Sequence, residues 1–90
     1  MAILVVSYDL KKPGKNYQSV WDYLNKFTHC KALESFWILD TTKTVTTVRD
    51  EMKALVDTND RVFVCRMVKN AWASHNGVCG SWLNDSSRNW

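Results

Sequence analysis

Two carboxylates stand at the ends of apolar, β-favouring runs, Asp9 after Ala2 to Tyr8 and Asp40 after Phe36 to Leu39. Side chains at the ends of parallel central strands converge out of a sheet, and two such carboxylates at one edge would suit Mg²⁺, which prefers hard oxygen ligands. An ion held there could activate water and steady the developing charge of a phosphodiester. Each residue also has a plainer reading. Asp9 can cap a turn or pair with Lys11 or Lys12, and an Asp before Thr41-Thr42 is an ordinary turn residue. Lys11, Lys12 and Lys15 follow Asp9 directly, in a loop where they could hold phosphates or simply be solvated. Arg61 and Arg66 could extend a basic surface, although Arg61 beside Asp60 also reads as a local ion pair.

Other chemistry-bearing residues are more isolated. His29 and His75 have no further ligand at zinc spacing, and each reads most simply as an ordinary histidine. Cys30, Cys65 and Cys79 are scattered without regular spacing, which argues against a secreted disulfide framework and makes the cytoplasm the default expectation. Cys65, inside an apolar run, reads as core. The chain has five Trp among 90 residues. A small domain cannot easily bury five indoles, so some belong at an interface. Trp72, Trp82 and Trp90 could stack on bases or pack between subunits.

The elements that must position these residues follow from hydrophobic period. Ala2 to Tyr8 is apolar on both parities, the mark of a central strand covered on both faces. Pro13-Gly14 breaks the chain and Asn16 is a candidate helix cap. Tyr17, Val20, Trp21, Leu24 and Phe27 recur at helical spacing and predict a helix over 17–28. A brief strand over 31–33 and a stronger one over 35–40 come next. Val45, Val48, Met52, Leu55 and Val56 then predict a second helix, with caps available between Thr41 and Thr44. A polar turn over 57–60 leads to a last strand over 61–68. Beyond it, the Trp-bearing tail has no regular period; a fifth strand, a short helix and a segment docked on a partner all remain open.

The apolar fraction of 46% with 23% charged residues excludes a disordered chain, and the net charge of +3 permits a polyanionic partner without requiring one. No apolar run is long enough to span a membrane. The element order is β-α-β-β-α-β, the split β-α-β arrangement of an α+β domain over 1–69, with 70–90 as a tail packed on it or on a dimer mate. Two helices with one apolar stripe each should cover one sheet face. In this arrangement the first and third strands are expected side by side and parallel, which would bring Asp9 and Asp40 to the same edge. The other sheet face needs a cover, and a second copy of the chain is the simplest one.

At this level the chain resembles the second CRISPR-associated protein and its relatives, including small SinR-like proteins. The resemblance rests on Tyr8-Asp9-Leu10 followed by Pro13-Gly14 and Tyr17, on Ser35-Phe36-Trp37-Ile38-Leu39-Asp40, and on Asp60-Arg61-Val62-Phe63-Val64. It implies a ferredoxin-like fold, a homodimer through the open sheet faces, and a nucleic-acid-related role that in some members is Mg²⁺-dependent endonuclease activity. Asp9 matches the strand-end Asp that members place near the dimer axis, and Ser35 falls where relatives often carry a small hydroxyl residue. Other members hold nucleic acid without cutting it. A non-catalytic module holding nucleic acid, a nucleotide or a protein in the dimer groove is therefore the alternative expectation. The loop after Asp9 is less basic than is usual in relatives, and the tail from Trp72 onward matches none of their features.

Overall fold

The first strand, β1 (Ala2–Asp9), alternates its side chains between two different environments. Leu4, Val6 and Tyr8 point into one apolar cluster and Ile3 into another, as the two-residue period of a strand requires. The computed structural model describes residues 2–10, 17–88 and 90. Within it, β1 is followed by α1 (Gln18–Asn25), β2 (Thr28–Leu33), β3 (Phe36–Thr41), α2 (Val45–Lys53), β4 (Arg61–Arg66) and a one-turn helix, α3 (Gly80–Leu83). The result is a small α+β fold with one four-stranded sheet, in the order β2-β3-β1-β4. The central places of β1 and β3 agree with their apolar residues on both parities.

Every neighbouring pair in the sheet is antiparallel. The expectation that β1 and β3 lie parallel is therefore wrong, for a reason of connectivity. A helical crossover returns β2 in the direction of β1, but Glu34 and Ser35 alone turn the chain back into β3, and so tight a connection reverses direction. β3 thus enters between β1 and β2 running against both.

Both long helices lie on one sheet face. Val20 and Leu24 of α1 and Val48 and Met52 of α2 are fully buried against Leu4, Val6, Tyr8, Trp37 and Leu39. Thr44 caps α2, its side chain accepting a hydrogen bond from the Thr47 N–H at 3.1 Å. Inside this core the Tyr8 hydroxyl accepts hydrogen bonds from the indole N–H groups of Trp37 (3.1 Å) and Trp21 (3.2 Å). Two of the five indoles are thereby buried or half-buried with their polar atoms paired. α1 ends at Asn25, short of the expected Thr28, because β2 begins there. β2 is an edge strand whose residues are all exposed or half-exposed, which is why its pattern reads weakly in the sequence.

The opposite face is covered in part by the chain's own C-terminal segment. Cys79 and Leu83 bury against Ile3 and Ile38, with Trp72, Trp82 and Trp90 packed around them. A disulfide joins Cys79 to Cys30 on β2, with Cα atoms 5.9 Å apart across 49 positions of sequence. Arg88 completes the attachment. Its Nη1 donates to the buried Asp40 carboxylate at 2.6 Å, its Nε donates to the Trp82 carbonyl at 3.2 Å, and its guanidinium lies 4.1 Å from the Trp82 ring centroid. The tail that had no period in the sequence is thus held by a covalent bond, an ion pair and three indoles. The premise of unpaired, scattered cysteines fails for Cys30 and Cys79, and the cytoplasmic expectation loses the support it drew from that premise. No helix among the described residues is long and apolar enough to cross a membrane.

Candidate functional site

The C-terminal segment leaves one end of the sheet face opposite α1 and α2 open, and Asp9 is there. On this face the antiparallel register stacks side chains in rows. Cys30, Ile38, Val5 and Cys65 form one row, and Phe36, Ser7 and Phe63 form the next. Asp9 and Arg61, directly opposite each other on β1 and β4, form the last. Opposite charges at such cross-strand positions favour the pairing of the strands. Ser7, Asp9, Arg61 and Phe63 line a shallow depression of about 170 Å³. Phe63 is 62% exposed, and Cys65 is exposed as well.

This grouping combines an acceptor carboxylate, a guanidinium suited to bidentate contact with a phosphate, and an aromatic face open to solvent. Phe63 was not legible as part of a site. The run Val62-Phe63-Val64-Cys65 is apolar on both parities and reads as a doubly covered strand. β4 is instead an edge strand, with Val62 and Val64 turned to the helices and Phe63 and Cys65 left on the open face. The expectation that Cys65 is core is corrected on the same ground.

The other expected site residues divide. Asp40 does not join Asp9. Its register partner on β1 is Ile3, at the opposite end of the strand from Asp9. The antiparallel direction of β3 puts it there, and its carboxylate serves Arg88 instead. Arg61 and Arg66 do not share a surface, since five residues along a strand place them at opposite ends and on opposite faces. Lys11, Lys12, Lys15 and the expected cap Asn16 lie outside the described residues. Among the described residues, no three His, Cys, Asp or Glu side chains gather as metal ligands.

Trp72, Trp82 and Trp90 are half-buried against the sheet and Trp37 is core. The tail indoles are thereby accounted for by packing within the chain. His29 is half-buried, its Nδ1 2.8 Å from the Phe27 carbonyl and its ring against Trp37. His75 lies exposed beside Asn76. Ser35 sits in the β2–β3 turn, where its carbonyl accepts from the Tyr8 N–H at 3.2 Å.

A second concavity of about 440 Å³ lies between the sheet and residues 72–83 on the same face, with a mostly apolar lining that includes Ser74 and His75. No family model matches the chain, and no solved structure matches its fold.

Proposed function

We propose that the chain is a nucleic-acid-handling protein of the family of the second CRISPR-associated protein, with a ferredoxin-like fold and a homodimeric working form. The observation that carries this reading is the convergence of Asp9, Arg61 and the exposed Phe63 at the uncovered end of the sheet. The strand order β2-β3-β1-β4, with both long helices on one face, supports the fold assignment. Arg61 would take a phosphate and Phe63 a base, a pairing suited to single-stranded or frayed nucleic acid. Two copies meeting through their uncovered half-faces would bring two Asp9 carboxylates toward one axis. An exposed strand-end carboxylate is the right donor type for Mg²⁺, and one from each chain could hold the ion with water filling its other positions. A Mg²⁺ ion held there would supply charge neutralisation and an activated water for phosphodiester hydrolysis.

The test is incubation of the purified dimer with single- and double-stranded RNA and DNA in Mg²⁺ or Mn²⁺, beside Asp9→Ala. Cleavage should fall by about a hundredfold or more in the variant, with its dimer and thermal midpoint unchanged. A well-folded dimer that cuts none of these substrates defeats the endonuclease reading.

Binding without cleavage is the second reading. It is favoured by the exposed Phe63 one row from Arg61, a stacking face beside a guanidinium that can hold a strand without a metal. On that reading Asp9→Ala keeps function, while Phe63→Ala weakens single-strand binding by about 1–3 kcal/mol.

A further inference from the structure

The larger concavity on the sheet face opposite α1 and α2 has the properties of a ligand site that the nucleic-acid reading does not use. Its floor is the sheet, with Val5 and Ile38 only 7% and 4% exposed, whereas Leu33 and Val78 at its rim are 66% and 71% exposed. That gradient from buried floor to open rim describes a cleft with depth, in contrast to the shallow depression at Asp9. Its volume of about 440 Å³ falls in the range of small-molecule sites. No Lys, Arg, Asp or Glu lines it, so a charged ligand would lose its hydration without gaining a counter-charge.

The wall opposite the sheet is preorganised. Cys79 is fastened to β2 by the disulfide, and Trp72 lies against Gly80, where an added Cβ would be 3.7 Å from its ring. At the bend over 75–76, Asn76 holds a left-handed φ of 54°. Gly77 there approaches Ser74 so closely that a Cβ would come within 2.7 Å of the Ser74 Oγ. A cleft whose wall is already fixed spares a ligand the cost of ordering it.

We propose that this cleft binds a small, neutral, largely apolar molecule, with Ser74 and His75 at the lining offering hydrogen bonds to a single polar group on it. A flat sheet face from a second copy is a poor occupant, because it cannot reach a floor already walled by the chain's own tail. The proposal is independent of the nucleic-acid reading and can stand or fall separately.

Titration of the oxidised full chain with the neutral fluorophore N-phenyl-1-naphthylamine tests it. The expected result is saturable binding of one probe per chain, with energy transfer from tryptophan. Ala32→Phe, which adds a ring to the cleft lining, should weaken binding at least about tenfold while the thermal midpoint holds. The sulfonated, anionic analogue of the probe should bind wild type at least about tenfold more weakly; this comparison decides the matter if Ala32→Phe fails to fold. Absence of saturable binding, equal affinity for the anionic probe, undiminished binding in a folded Ala32→Phe, or loss of binding as dimer forms would each overturn the proposal.

Discussion

At Tyr8, one hydroxyl accepts two indole N–H groups, and the Trp37 donor is buried. Tyr8→Phe keeps the ring and removes only the acceptor, so it should cost about 1–3 kcal/mol for the donor left unpaired. Chemical denaturation with an unchanged m-value would register this as a shift in midpoint alone. Glu51 contributes to the pH dependence at this scale. The Lys43 ammonium at 2.7 Å, and then the Tyr23 hydroxyl at 2.6 Å, hold its carboxyl below the usual range. Burial, and then the bond to Glu51, raise the Tyr23 phenol. A carboxyl lowered on folding contributes stability that is fully present above its unfolded pKa of about 4.3 and is lost as pH falls through the folded value. The contribution is small because the pair is exposed and screened. Glu51→Gln should flatten the acid limb of the thermal midpoint against pH, and identical acid limbs in the two proteins would refute the assignment.

At the scale of elements, the C-terminal segment depends on its attachments, because a four-residue helix has little stability of its own. The Cys30–Cys79 bond closes a loop of 49 positions, and removing it should cost about 2–4 kcal/mol. Cys79→Ser, or reduction, should therefore lower the thermal midpoint and make 70–90 the first segment cut in limited proteolysis. Equal protease resistance with and without the bond would show that Arg88 and the three indoles suffice. The ion pair is a real contributor to that attachment. Asp40 is 4% exposed at its side chain, and a buried carboxylate stripped of its partner is strongly destabilising.

For the whole molecule, the question is what meets the uncovered half of the sheet. Phe63, 62% exposed, is a large apolar side chain on a part of the sheet that neither the long helices nor the C-terminal segment covers, the kind of surface that marks an interaction site. Cys65 is the only cysteine outside the disulfide, and it lies on that half. Its alkylation rate is a direct reading of whether the face is covered. If the proposed dimer forms there, alkylation should slow as protein concentration rises. Cys65→Arg, which puts a charge on that half, should give a monomer in sedimentation, with the thermal midpoint of the monomer little changed. A concentration-independent rate in a protein that sediments as a dimer would move the interface elsewhere.

Much of this molecule is written in local pattern. The apolar runs of β1 and β3 announce central strands, and the stripes Val20-Leu24 and Val48-Met52 announce helices packed on a sheet. Asp9 announces itself as a carboxylate at a strand end. These readings depend on neighbours two to four residues apart, where backbone geometry alone relates sequence to position. The readings that failed depend on which distant segments meet. Asp40 reads as a neighbour of Asp9 only where β1 and β3 run parallel, and the tight Glu34-Ser35 turn makes them antiparallel. Cys30 and Cys79 carry no mark of their partnership, since nothing local relates residues 49 positions apart. Phe63 reads as core until β4 is seen to be an edge, and the tail has no period because its indoles and Arg88 are placed by the sheet they cover. Burial is a property of the assembled sheet, so tertiary contact alone separates a strand covered on both faces from one left half open.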